Sequence, residues 1–164
     1  MLKSLKNVRF LSEAAIIAAM YVVLTIINPW SSGQFQVRIS EALTVLPFLT
    51  PAAVPGLFIG CFIANIFGVG GAGILDVIFG SLATLAAAYI TYRMPKKILA
   101  PLPPVIVNAV VVAVVFKIAA NAPLFITMGL VALGELIACY VLGYPLLLLM
   151  KKYKVFNKPW HRQV

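Results

Sequence analysis

Four acidic residues carry most of the chemistry open to this chain: Glu13, Glu41, Asp76 and Glu135. Each lies within or at the end of a long apolar run. A carboxylate placed at the middle of a bilayer costs roughly 2.5 to 3.5 kcal/mol on insertion scales. Glu135 is the sharpest case, because it stands inside the last apolar run with no basic residue near it in sequence. A carboxylate accepts hydrogen bonds and neutralises cationic centres. The chemistry indicated is recognition of a polar ligand inside a small helical bundle. Arg38, Asn65, Asn108 and Lys117 are further polar groups within or beside the apolar runs.

Catalysis and metal binding fit these residues poorly. No Ser–His, Cys–His or Asp–Asp pair falls at a useful spacing, and the single histidine, His161, lies in a basic tail. Cys61 and Cys139 both fall inside apolar runs and read as small buried hydrophobes, without the spacing of a disulfide framework or a metal site. The chain is therefore expected to be neither an enzyme nor a metalloprotein.

The elements that must position the polar groups follow from composition. Of the 164 residues, 63% are hydrophobic and only 10% charged, and mean hydropathy is +1.06. Soluble domains carry roughly 25% charged residues. The expectation is an all-α integral membrane protein, a single transmembrane substrate-binding domain over residues 1–164 with a basic cytoplasmic tail from about 151. The net charge of +9 does not point to nucleic acid, because the basic residues are segregated. Lys3, Lys6 and Arg9 precede the first apolar run. Arg93, Lys96 and Lys97 separate the fourth from the fifth, and Lys151, Lys152, Lys154, Lys158 and Arg162 come after the last. That is the positive-inside pattern.

The first helix is expected to start with Ser12 as N-cap, Glu13 lying at the positive helix end, and to stop at Asn28-Pro29. Asn28-Pro29-Trp30 does not resemble a signal-peptide cleavage site, so this run is read as a retained span. A second helix starts near Ser40-Glu41. Pro47, Pro51 and Pro55 divide the apolar stretch that it opens, so a tight turn near Thr50-Pro51 leads into a third helix over 54–67. Further helices are expected over 74–92, 98–119 and 124–150. The glycine-rich stretch 68–73 is a turn or a gate, and it lacks the lysine and the strand of a phosphate loop.

Six transmembrane helices with cytoplasmic N- and C-termini place eleven of the thirteen Lys and Arg residues inside. Arg38 and Glu41 then fall at the outer end of the second helix, Asn65 near the outer end of the third and Asp76 in the first turn of the fourth. Asn108 and Glu135 lie deeper, Glu135 some 16 Å down. The polar groups gather in the outer half, which suggests a cavity opening outward. Structural roles stay open for each. Glu41 and Asp76 suit helix N-termini, Arg38 can pair with Glu41, and Asn65 and Asn108 can bond neighbouring helices. Lys117 can snorkel. Small residues give a second signal: Ala14, Ala15, Ala18 and Ala19 form a flat strip on the first helix, the kind that lets helices approach closely in lipid.

The run Val37-Arg38-Ile39-Ser40-Glu41-Ala42-Leu43-Thr44-Val45-Leu46-Pro47 resembles the QueT family. So does the glycine-rich turn leading into Gly73-Ile74-Leu75-Asp76-Val77-Ile78-Phe79-Gly80-Ser81-Leu82-Ala83-Thr84. The resemblance extends from the first helix to about Met150. It implies a predicted queuosine-precursor transporter, the substrate-binding S-component of an energy-coupling-factor transporter. It also implies an S-component-like bundle of six helices in a prokaryotic plasma membrane. The implied partners are a transmembrane coupling subunit and two cytoplasmic ATPases; these use the ATP, and this chain has no cofactor of its own. The alanine-containing face of the first helix is the implied docking face, matched here by Ala14, Ala15, Ala18 and Ala19.

A deazaguanine ligand gives the polar groups roles under this resemblance. Glu135 or Glu41 accepts two parallel hydrogen bonds from a ring N–H and its neighbouring amine. Asp76 neutralises an ammonium, Asn65 or Asn108 bonds the ring carbonyl, and Trp30 or Phe35 stacks on the base. With Arg38 these are the candidate substrate-binding residues. The alternatives are an S-component for another vitamin-like molecule and a self-contained proton-coupled carrier in which Glu135 relays protons.

Overall fold

The computed structural model describes residues 8–28, 38–67, 72–153 and 155–156. Among them there are six helices and no strand. Helix α1 is Val8–Ile27. Helix α2 is a 3₁₀ helix, Ile39–Phe48, and α3 is Ala53–Ile66. Helix α4 opens with a π-helical turn, Asp76–Gly80, and continues as Ser81–Arg93. Helix α5 is Leu102–Ala120, preceded by a short 3₁₀ turn, Lys97–Leu99. Helix α6 runs Leu124–Lys152 and contains a π-helical segment, Ile137–Gly143.

Helix α1 starts a turn earlier than the sequence suggests. Ser12 is inside it, its hydroxyl donating to the Val8 carbonyl at 2.9 Å, so Ser12 is not an N-cap. Serine satisfies its hydroxyl within a helix by this back-bond, and Val8 to Leu11 are free to continue the apolar helix. The turn at Thr50-Pro51 is present: Thr50 N–H bonds the Leu46 carbonyl at 3.0 Å, and the Thr50 hydroxyl accepts from Ala52 N–H at 3.2 Å. Helix α5 tolerates Pro103 and Pro104 because its first N–H groups have no helical acceptor. Asn121, at φ 50°, ends it, with Ala122 N–H returning to the Phe116 carbonyl at 3.4 Å. The π segment of α6 lies just before Pro145, whose missing N–H and bulky ring disturb regular α-helical bonding.

Helices α1, α3, α4, α5 and α6 pack in that order as a wall around α2, which packs chiefly against α1, α3, α4 and α6. Residues Ser40 to Phe48 are all buried. The wall closes most tightly between α1 and α3. A Cβ built on Gly56 would lie 2.7 Å from the Ala14 carbonyl oxygen, and one on Gly60 would lie 2.9 Å from that of Ala18. Outward faces are apolar: Ile16, Val23, Ile59, Phe79, Ile106, Phe125 and Val141 are all exposed. Among the described residues three helical stretches, Val8–Ile27, Lys97–Ala120 and Leu124–Lys152, are long and apolar enough to cross a membrane. Arg9, Arg93, Lys96, Lys97, Lys151 and Lys152 lie at the end of the bundle where α1 begins and α6 ends. Arg38 and Lys117 lie toward the other, and exposed Lys117 donates to Asn121 Oδ1 at 2.7 Å.

Candidate functional site

Glu41, Asn108 and Glu135, from three different helices, meet in the interior. Asn108 is twelve residues before the end of α5, and Glu135 eleven residues after the start of α6. At 1.5 Å per residue the two sit at about the same depth from the hairpin that joins their helices. Asn108 Nδ2 donates to Glu135 Oε1 at 2.8 Å and makes a longer bond to Glu41 Oε2 at 3.4 Å. A single amide nitrogen has two hydrogens, enough to serve both carboxylates. The first turn of α2 is therefore well inside the bundle, at the level of Asn108, and not at its outer end. All three side chains are buried.

Each carboxylate has its second oxygen fixed from behind. Tyr21 of α1 donates its hydroxyl to Glu41 Oε1. The Cys139 thiol lies 3.4 Å from Glu135 Oε2. Thr44 tightens the turn of α2, donating to the Glu41 carbonyl at 2.5 Å and contacting Cys139 Sγ at 3.5 Å. Next to this turn, Thr25 of α1 bonds the Ser40 hydroxyl at 2.7 Å. Helix α6 comes close because Gly143 has no side chain: a Cβ there would meet the Ala42 carbonyl oxygen at 3.0 Å.

Arg38 connects a second group of polar residues. Its guanidinium donates to Asn65 Oδ1 at 3.4 Å and lies within electrostatic range of Tyr21, Cys61, Asp76 and Glu41. Asn65 Nδ2 donates to the Asp76 carbonyl at 2.9 Å and contacts Cys61 Sγ at 3.5 Å. Asp76 Oδ2 accepts from Ala72 N–H at 3.4 Å, which ties this carboxylate to the turn just before its own helix, at the end where a negative charge is favourable. Gly80 brings the π turn close to both groups, since a Cβ on it would lie 3.2 Å from Asn65 Nδ2 and 3.2 Å from Asp76 Oδ1. Thr84 completes the group with a 3.3 Å bond to Cys61 Sγ.

The structure thus unites Glu41, Asn108 and Glu135 directly, and joins Arg38, Asn65 and Asp76 to them. These polar groups bond one another. Two grooves along α4 and α5, of about 250 and 150 Å³, are apolar and include none of them. Trp30, Phe35 and residues 68–71 of the glycine-rich stretch lie outside the described residues. The four alanines divide. Ala14 and Ala18, 6% and 7% exposed, lie against Gly56 and Gly60 within the bundle. Ala15 and Ala19 face outward. Tyr21, Cys139 and Thr44 escape a reading from sequence because tyrosine, cysteine and threonine are ordinary in apolar helices. The spacing of Glu135 and Cys139, one turn apart on α6, was the available signal.

Apolar outward faces around a centre of mutually bonded polar side chains define a helical protein of the membrane class. Comparison with known families makes this specific. The profile described as QueT transporter matches residues 11–152, and the chain belongs to that family. That family is described as one of transporters. The queuosine precursor transporter QueT of Lactococcus lactis subsp. cremoris (strain MG1363) is 38% identical over 74 residues, 43% of this chain and 42% of that relative. The match thus spans less than half the length of that curated relative. No solved structure matches the chain.

Proposed function

We propose that this chain is the substrate-binding S-component of an energy-coupling-factor importer, a multi-pass protein of the cell membrane with both termini cytoplasmic. It captures a deazaguanine precursor of queuosine from the outer face. A transmembrane coupling subunit and two cytoplasmic ATPases then drive uptake. The observation that carries this reading is the Glu41–Asn108–Glu135 constellation. Two buried carboxylates with oxygens facing one position suit a heterocycle edge rich in N–H donors. The similarity to a relative named as a queuosine precursor transporter supports the substrate. The exposed alanines Ala15 and Ala19 offer a flat patch on α1 for the coupling subunit.

Calorimetry on the detergent-purified protein tests this, with 7-aminomethyl-7-deazaguanine compared with guanine, riboflavin and thiamine. Submicromolar binding of the aminomethyl compound alone is expected. Tight binding of riboflavin or thiamine would retain the architecture and replace the substrate. Transport by the purified protein in liposomes without ATPases would instead make it a self-contained carrier.

A further inference from the structure

We propose that the Asn108 amide stands in for the ligand's amino group, so that a ligand binds by displacing it from between Glu41 and Glu135. This rests on the reading of the cluster as the ligand site. The amide nitrogen makes the contacts that an exocyclic amine would make, at 2.8 Å to Glu135 Oε1 and 3.4 Å to Glu41 Oε2. The other oxygen of each acid is held by Tyr21 and Cys139, which fixes where the two available oxygens point. Recognition therefore uses one oxygen from each of two carboxylates, flanking a single amine, rather than both oxygens of one.

A separate observation marks unused polar capacity on the walls of the bundle. The hydroxyls of Ser81 and Thr127 are buried without a hydrogen-bond partner. Ser81 comes directly after the π turn that begins at Asp76, and Thr127 lies about two turns from Glu135 along α6. A buried donor left unmatched is unfavourable, and these two lie away from the acid pair, Thr127 about 12 Å from Glu135 along the helix.

The stand-in has an unusual energetic consequence. Asn108 competes with the ligand, so removing its amide leaves the two carboxylates without that donor in the free protein and favours a ligand that brings one. The test is calorimetry of wild type, Asn108→Ala and Asn108→Thr with two probes. One is 7-deazaguanine, which has the exocyclic amine, and the other is 7-deazahypoxanthine, which lacks it. In both variants affinity for 7-deazaguanine is expected to rise about tenfold, one charge-assisted hydrogen bond's worth. Affinity for 7-deazahypoxanthine is expected to change less than about twofold. Weaker binding of 7-deazaguanine by the variants would overturn the proposal, because Asn108 would then be a ligand contact. A structure of wild type with 7-deazaguanine decides the matter independently of variant folding. Asn108 turned away from both acids supports the stand-in, and Asn108 still bridging them overturns it. Absence of binding of either probe to folded wild type would instead count against the site itself and the transport substrate proposed above.

Discussion

Tyr21 of α1 donates its hydroxyl to Glu41 of α2, and both side chains are buried. The bond joins the wall of the bundle to the 3₁₀ helix at its centre. Removing only the hydroxyl, with Tyr21→Phe, leaves Glu41 Oε1 without this donor. The expected loss is about 1–2 kcal/mol of stability, read as a lowered unfolding midpoint in detergent. Ligand affinity is expected to fall about fivefold as Glu41 loses its orientation. An unchanged midpoint together with unchanged affinity would separate Tyr21 from both roles.

Glu135→Gln keeps the size of the side chain and an oxygen for Asn108, but exchanges one acceptor for a donor. The fold is expected to persist, with affinity for 7-aminomethyl-7-deazaguanine lowered more than about tenfold. Calorimetry beside a thermal unfolding curve checks both halves. Wild-type affinity in a normally folded variant would remove Glu135 from the site.

Gly60 and Gly129 make opposite predictions for the same substitution. Gly60→Ala places a Cβ 2.9 Å from the Ala18 carbonyl oxygen and 2.9 Å from Tyr21 Cβ. Backbone cannot yield cheaply, so α1 and α3 separate at an expected cost of about 1–3 kcal/mol. Gly129→Ala meets nothing within 4 Å and replaces a flexible residue inside a helix, for a gain of about 0.5–1 kcal/mol. Unfolding midpoints in detergent should move in opposite directions.

Ala15→Leu and Ala19→Leu enlarge residues on the outward face of α1, away from the polar centre. Ligand binding by the isolated chain is expected to stay within about twofold of wild type. Co-purification with the proposed coupling subunit, and uptake into cells, are expected to be lost. Normal uptake by the double variant would remove this face from the partner interface.

The helical framework was legible in the sequence because apolar runs, prolines and charge clusters mark where spans begin and end. The break at Thr50-Pro51 and the close of α1 at Ile27 are both set by prolines. Glu41, Asn108 and Glu135 were legible as candidates because polar residues are conspicuous in apolar runs. Their meeting was not legible, since it depends on how far α2 sinks into the bundle. Nor was the division of the alanine strip. Ala14 and Ala18 differ from Ala15 and Ala19 only by a rotation of about 100° about the helix axis, and the glycines that select one pair are on α3. The π segments were likewise hidden, because a π turn depends on tertiary packing as well as on local sequence.

The brevity of α2 bears on what holds it in place. Ten residues of 3₁₀ helix rise about 20 Å, short of the roughly 30 Å of a hydrocarbon core. Its first turn carries Glu41, and Arg38 immediately precedes it. Such a segment has little tendency to remain in lipid alone. Its place at the centre is conferred by the helices packed against it, chiefly α1, α3, α4 and α6, so whatever loosens that wall also loosens the anchorage of Glu41.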